Sequence, residues 1–464
     1  MKNILTLFSG LLLASLAALH AGDAPRAATR PNIIVILVDD LGYADIPAHG
    51  GKGLSMPHLD GLTRQGVRFS NGYVTSPQCS PSRCGLLTGI YNQRFGHEHN
   101  GCQHAAFNAG AKTLAEHLKP SGYATAAFGK WHLGDNGRGG TTDTHHPTKH
   151  GFDESWGYSD YSAASKADMQ GFPVPLRPAN AYHAQNFATR AAGFIEAHAS
   201  QPWFIYLALH EPHVQVIPTP ESDSLTKAAA PDDPLRQKCL GALHDLDAGI
   251  GLVLAKLREL KLEEQTLIVF LSDNGAPIDL LEVARQNGRK IKTPKGDAKG
   301  KGEDEAVNGS RNEPLRGRKG LTWEGGIRVP FVMTWKGTLP AGQTYDQPVI
   351  SLDIAATALA AANTKPLPGT QLDGVNLLPF LQGENKSSPH ERLFWRYADR
   401  KLFAVREGKW KLVQSKTEAA QLYDLDADIS ERNDLSARHP DIVKRLQSAW
   451  DEWNATLKPP ALDN

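Results

Sequence analysis

Cysteine and methionine are scarce in this 464-residue chain, four of each, and the formal net charge is zero, with 50 basic against 50 acidic residues. The charge balance gives no electrostatic ground for a nucleic-acid partner or an anionic membrane, so any bound anion has to be held by a local cluster. Four cysteines allow at most two disulfides. There is no internal repeat, and beyond the N-terminus no apolar run long enough to span a bilayer. What remains, 40% hydrophobic and 22% charged, is an ordinary globular composition with material for a large core. Disorder and coiled coil do not suit it. The length fits several domains, or one large α/β domain with a small one.

The chain opens "MKNILTLFSGLLLASLAALHAGDAPRAATRPN". Lys2, an apolar run from Ile4 to Ala18 and small residues before a polar Pro/Ala stretch predict a signal peptide over residues 1–21. The chain is then exported, to a periplasm or outside the cell. A stable membrane anchor is the weaker reading, because Ser9, Gly10 and Ser15 interrupt a short run.

Apolar runs without alternation read as strands buried on both faces. "PNIIVILVDDLG" is one and ends on Asp39 and Asp40; "TLIVFLSDNGAP" ends on Asp273 and Asn274; "PWFIYLALHEPH" ends on His210 and His213. "YATAAFGKWHLG" is a poorer example that delivers Lys130 and His132. Helical patterns from Thr113, Phe187 and Leu235 lie between them. The fold class is therefore α/β, a large, mainly parallel sheet flanked by helices. Polar groups collect at the C-terminal ends of its strands, where such sheets bind ligands. After about residue 380 the pattern changes to short strands and one last helix, a smaller antiparallel sheet plus helix. This divides the exported chain into a main domain over 31–380 and a small α+β domain over 381–464. The stretch from Arg285 to Asn312 has few large apolar residues and reads as a solvated loop.

Asp39, Asp40, Asp273 and Asn274 are hard oxygen donors, and adjacent carboxylates repel unless a cation lies between them. Oxygen donors select Ca²⁺ or Mg²⁺ over zinc. The other reading is that each aspartate caps the helix after its strand.

In "TSPQCSPSRCGLLTG", Pro81 suits the first turn of a helix, which puts Cys79 at or just before a helix N-terminus. The run Cys79-Ser80-Pro81-Ser82-Arg83, followed by Leu87-Thr88-Gly89, resembles the signature of the formylglycine-dependent sulfatases of the alkaline phosphatase superfamily. "GKWHLG", "EPH", "SDNG" and "NGSRNEPLRGRKGLTWEGGIRVP", with Lys319, resemble that family's motifs in its order, and the resemblance runs from Pro31 onward.

That resemblance implies an alkaline-phosphatase-like fold and a residue 79 oxidised from cysteine to an aldehyde by a formylglycine-generating or equivalent maturation enzyme. It implies Ca²⁺, or less readily Mg²⁺, on Asp39, Asp40, Asp273, Asn274 and the modified residue 79. Arg83 would hold the aldehyde hydrate, Lys130, Lys319 and His213 would grip sulfate oxygens, and His132 would act as a base. His213 would also protonate the leaving oxygen. The implied activity is hydrolysis of sulfate esters, with a sulfated saccharide or polysaccharide as partner. Phosphate or phosphonate ester hydrolysis, and non-catalytic binding of sulfated glycans by an unmodified protein, are the rival readings.

Arg94, His97, His99 and Asn100 follow the signature closely and are candidates for the substrate pocket, with Trp131 as a surface for a sugar and His210 as a competitor of His213. Trp156 is a second stacking candidate, and His145, His146 and His150 are solvated histidines or ligands of a second metal. If Cys79 is consumed, one bridge at most can form, with Cys84 and Cys102 as a pair to test.

Overall fold

Ile33–Val38 send apolar side chains to both sides of β1 (Asn32–Val38), and both sides are buried. Ile33, Val35 and Leu37 enter one apolar cluster; Ile34, Ile36 and Val38 enter another. A strand covered on both faces belongs inside a helix-flanked sheet. The computed structural model describes residues 30–134, 144–157, 184–214, 216–277, 307–398, 401–414 and 419–461. The expected signal peptide over 1–21 lies outside the described residues.

β1 is central in an eight-stranded sheet with β2 (Val67–Phe69), β4 (Ala124–Gly129), β5 (Glu154–Trp156), β6 (Trp203–Ala208), β7 (Thr266–Ser272), β8 (Phe331–Thr334) and β9 (Gln343–Tyr345). The spatial order is β5-β4-β6-β1-β7-β8-β2-β9. Val35 of β1 stands between Tyr206 and Val269, both in parallel register. β8 alone runs antiparallel to its neighbours β7 and β2. A short pair of β3 (Gly72–Tyr73) and β10 (Val349–Ile350) lies apart from this sheet.

Helices α1 (Pro57–Gln65), α3 (Ala184–Ala197) and α4 (Pro234–Glu259) cover one face, contributing Leu59, Phe187, Leu246 and Ile250 to the Ile34 cluster. In α4 the residues Leu243, Leu246, Ile250, Val253 and Leu257 recur every three or four positions and make one buried stripe. Its start is set by Pro234 and by Asp233, whose side chain accepts from Arg236 N at 2.9 Å. Helices α2 (Cys79–Thr88) and α5 (Asp353–Ala361) cover the other face with Leu86, Leu87, Ile354 and Ala358.

The C-terminal strands β11 (Arg392–Tyr397), β12 (Leu402–Glu407), β13 (Trp410–Gln414) and β14 (Gln421–Asp424) form an antiparallel sheet in chain order. The run "KLFAVREGKWKLVQ" is two of these strands, folded back at Gly408, whose φ is 55°. Phe403, Val405, Leu412 and Leu422 pack with Leu446 of α6 (Pro440–Ala455), whereas Leu393, Trp395, Ala404 and Val413 join the main core. The small sheet is thus packed between its own helix and the main core.

Two expectations need correction. All four cysteines are buried and free, and no Cys84–Cys102 disulfide exists; Cys102 Sγ instead accepts from Glu98 N at 3.3 Å. The end of the stretch read as a solvated loop is also buried: Asn308, Ser310 and Asn312 donate into the surrounding backbone and side chains, while residues 285–306 lie outside the described residues. Among the described residues no helix is long and apolar enough to cross a membrane.

Candidate active site

Because β4, β6, β1 and β7 are parallel neighbours, their C-terminal ends share one edge. Asp39 and Asp40 follow β1, Asp273 and Asn274 follow β7, Lys130 and His132 follow β4, and His210 and His213 follow β6. Two glycines permit the close approach. A Cβ on Gly129, which precedes Lys130, would lie 1.9 Å from Ala208 O, and one on Gly275, after Asn274, 1.8 Å from Gly325 O. Asp40 and His132 hold left-handed backbone, with φ of 62° and 58°, a conformation that costs roughly 1–2 kcal/mol for a residue with a Cβ.

Cys79 is the first residue of α2, after an extended Gln78. Its Sγ lies 3.5 Å from Asp39 Oδ1 and 3.9 Å from Asp40 Oδ1, fully buried. Burial, and then the Asp273 charge, push this thiol well above its ordinary range, against the pull of Lys130 and Lys319. As a plain thiol it stays protonated and is a poor nucleophile. One turn on, Arg83 donates from Nε and Nη2 to Asp273 Oδ2 at 2.9 and 2.7 Å, and from Nη1 to Lys130 O at 2.8 Å.

Three carboxylates therefore meet three cations. Lys130 Nζ is 2.8 Å from Asp39 Oδ2, and Lys319 Nζ is 3.0 Å from Asp40 Oδ2. Burial alone would raise Asp39, but Lys130, His213 and Arg83 outweigh it and hold the carboxyl well below the usual range. Burial and the neighbouring Asp39 push Asp273 the other way. Asp39, Asp40, Cys79 and His213 each offer one ligand atom within 4.8 Å of the others. Asn274 donates to Asp40 Oδ1 at 2.6 Å, while its own Oδ1 is buried with no hydrogen-bond partner among the described residues. Crowded carboxylates and an unused amide oxygen fit a hard divalent cation better than helix caps.

His213 Nδ1 faces Val214 O at 2.6 Å; a carbonyl can only accept, so Nδ1 carries the proton and Nε2, 3.5 Å from Asp40 Oδ2, does not when the ring is neutral. Burial pulls His213 down to about 3 and also lowers His132, which Lys130 and Arg83 depress further. Both rings are neutral near pH 7. His210, likewise lowered to about 3, lies edge-on to His213 with ring centres 4.9 Å apart.

The structure engages the remaining candidates within the protein. His97 Nε2 meets Ser80 Oγ at 2.8 Å, and that hydroxyl donates to His132 O at 2.6 Å. Asn100 accepts from Ser80 N at 3.2 Å. Both residues hold the start of α2. Arg94 is paired with Asp373 at 2.8 Å, and His99 accepts from Gly101 N at 3.1 Å. Trp131 stacks on Phe107 and donates to His145 O, with 1% of its surface exposed, so no open face is left for a sugar; Trp156 packs on Phe187. His145 and His150 contact each other at 3.2 Å, but among the described residues they form no metal-ligand cluster.

Sequence reasoning missed Asn308, which donates to Asp40 O at 3.2 Å and Pro212 O at 3.0 Å and so ties two site loops together. It also missed Tyr206, whose hydroxyl accepts from Arg83 at 3.4 Å. Neither carries a sequence signal: one sits in a polar run, the other inside an apolar strand.

A sheet edge of this kind, with a buried helix start aimed at paired aspartates, defines an alkaline-phosphatase-like ester hydrolase. The sulfatase family model matches residues 31–364, and the model of the C-terminal region of N-sulphoglucosamine sulphohydrolase matches 318–455. Steryl-sulfatase of Mus musculus is 31% identical, over 83% of this chain and 70% of that protein. N-acetylgalactosamine-6-O-sulfatase of Bacteroides thetaiotaomicron is 28% identical, over 91% of this chain and 93% of that protein. The solved structure of Ps i-CgsB in complex with k-i-k-neocarrahexaose superposes with a TM-score of 0.78 and 28% identity, covering 93% of this chain and 94% of that one. The chain belongs to the sulfatase family, within the type I branch of the alkaline phosphatase superfamily, and is a sulfuric ester hydrolase.

Proposed function

We propose that this protein is exported and removes sulfate from a sulfated carbohydrate, using a formylglycine made from Cys79 and a divalent cation, Ca²⁺ in preference to Mg²⁺. The observation that carries the reading is Cys79 at the start of α2, 3.5 Å from Asp39 and inert as a thiol. The reading assigns Asp39, Asp40, Asp273, Asn274 and residue 79 to the cation, 31–380 to the catalytic domain and 381–464 to a small C-terminal domain. A maturation enzyme supplies the aldehyde. The named substrate of the Bacteroides relative and the saccharide bound by Ps i-CgsB support the carbohydrate part of the reading.

A divalent cation held by Asp39, Asp40, Asp273, Asn274 and residue 79 would supply positive charge to polarise sulfate oxygens and favour a deprotonated hydroxyl. Residue 79, once converted to the aldehyde hydrate, would supply two hydroxyls on one carbon, one suited to displace the substrate alcohol from sulfur and a second whose deprotonation would let sulfate leave as the aldehyde re-forms. Lys130 and Lys319 offset charge on the sulfuryl oxygens inside a buried pocket, where such charges act strongly. His132, held neutral by burial and by Lys130 and Arg83, is in the form a base requires, and the negative charge of a bound ester would raise its proton affinity. His213 lacks a proton on Nε2 until an anion arrives; the ester's negative charge raises its proton affinity, and it can then serve the leaving oxygen. Arg83 holds Asp273 and the Lys130 carbonyl while standing one turn from residue 79.

Peptide mass spectrometry across residue 79, on protein made with the maturation machinery, tests the nucleophile: an aldehyde is expected, and an unmodified thiol in active enzyme overturns the reading. Matched aryl sulfate and aryl phosphate esters test the reaction. Preference for the phosphate ester would instead favour the phosphate or phosphonate reading.

A further inference from the structure

Lys411 of β13 is fully buried between two glutamates, its Nζ 2.8 Å from Glu324 Oε1 and 2.9 Å from Glu431 Oε1, both of them fully buried too. Glu431 Oε2 accepts from Glu324 N at 2.8 Å, and Tyr73 donates to Glu324 Oε2 at 2.7 Å. Charges are removed from water at this depth only where each is matched by several partners, and the loss of one partner leaves the others stranded. Such a cluster therefore admits few alternative arrangements.

Glu324 ends the segment that carries Lys319. On the side facing the site, Lys319 N donates to Ala276 O at 3.1 Å, just after Asn274, and Gly320 N donates to Pro77 O at 2.8 Å, just before Cys79. On the far side Tyr73 and Arg328 bind Glu324 Oε2, and the C-terminal part of the chain also grips the segment at several points. Arg316 donates to Tyr423 Oη at 3.1 Å and to Glu431 O at 2.8 Å, with its guanidinium 3.7 Å from the centre of the Trp323 ring. Thr322 donates to Phe403 O at 3.4 Å, and Glu324 binds Lys411.

We propose that Lys411 is a positioning residue for catalysis: through Glu324 and Glu431 the C-terminal sheet sets where Lys319 stands over Asp40. The small sheet is on this account a working part of the active site. The inference rests on the reading of Lys319 as a sulfate-gripping residue.

The test is a double-mutant cycle on the matured enzyme with an aryl sulfate, comparing Lys411→Met, Lys319→Ala and the combination, each verified as folded by circular dichroism and assayed well below its melting temperature. Lys411→Met is expected to lower kcat/KM roughly ten-fold in the parent, and by less than about two-fold once Lys319 is already alanine, because sites acting as a unit are non-additive. A merely structural role would lower both backgrounds equally, and that additive result overturns the inference. A folded Lys411→Met enzyme with parental kinetics overturns it as well. Should Lys411→Met yield no folded protein, the same cycle with Glu431→Gln, which preserves side-chain shape, decides the matter by the same criteria. If Lys319→Ala itself leaves kcat/KM unchanged, the reading of Lys319 falls and takes the inference with it; a costly Lys319→Ala with additive partners removes the inference alone.

Discussion

Arg83 donates twice to Asp273, from Nε at 2.9 Å and from Nη2 at 2.7 Å, and so fastens the helix that begins at Cys79 to the strand end that supplies Asp273 and Asn274. The pair is fully buried, and a third bond from Nη1 reaches Lys130 O. A lysine keeps the charge but cannot make this forked set of bonds. Arg83→Lys is therefore expected to lower kcat/KM on the order of 10–100-fold, the range for residues that orient a metal site, while the protein still folds. Steady-state kinetics with an aryl sulfate would check this, and kinetics unchanged from the parent would refute the fastening role.

Removing the proposed nucleophile should leave the fold almost untouched. Cys79 packs among charged groups in a buried first turn, and truncation to alanine deletes one sulfur atom from a site already fixed by Arg83, Ser80 and their partners. Cys79→Ala is expected to abolish turnover with a melting temperature within a few degrees of the parent. Cys79→Ser retains one hydroxyl, so it should consume at most one equivalent of aryl sulfate without steady release of sulfate. Sustained turnover by either variant contradicts the assignment.

The paired aspartates predict a dependence on a divalent cation. A chelator should both abolish activity and lower the melting temperature, because a ligand bound only by the folded state stabilises it by about 2.7 kcal/mol at a hundred times its Kd. Asn274 has a buried Oδ1 with no hydrogen-bond partner among the described residues, so Asn274→Ala should weaken Ca²⁺ binding by roughly 10–100-fold. Titration calorimetry on chelator-treated protein reads this without reference to activity. Binding unchanged in Asn274→Ala would exclude that oxygen as a ligand.

The parts of the fold that could be read in advance are those with a long, uninterrupted pattern. β1, β6 and β7 carry unbroken apolar runs through their interiors and give way to polar residues at their C-terminal ends, so both the strands and the site at their ends are visible in the chain. β2, β5 and β9 are three residues long and carry no period. Isolated polar residues mislead in both directions. His97 has the composition of a pocket residue but props up Ser80, and Lys411 and Glu431 have the composition of a solvated face but are buried against each other. Their partners are distant in sequence, and closeness in space between such residues is what a local pattern does not encode. Trp131 illustrates the same limit, since packing on Phe107 decides its role.

Glu211 predicts how stability depends on pH. It is buried beside the site, and its Oε1 accepts from Ala184 N at 2.6 Å. Burial is the largest influence on this carboxyl and pushes it up to about 8 from an ordinary 4.5; the bond from Ala184 opposes the rise and the Asp245 charge adds to it. In the unfolded chain the group ionises near 4.5, whereas in the folded protein it keeps its proton until about 8. Between these values the unfolded state binds fewer protons, so stability falls as pH rises through this window, by up to about 1.4 kcal/mol per pH unit from this one group. Below about 4.5 the group is protonated in both states and contributes no slope. Glu211→Gln stays neutral at every pH with nearly the same shape. The variant should match the parent near the acid end of the window and exceed it in stability at the alkaline end. Denaturant midpoints measured for both proteins across that range, with the cation concentration held constant, decide the matter: parallel curves would mean that Glu211 ionises normally in its buried position, and a gap that widens with pH is the expected result.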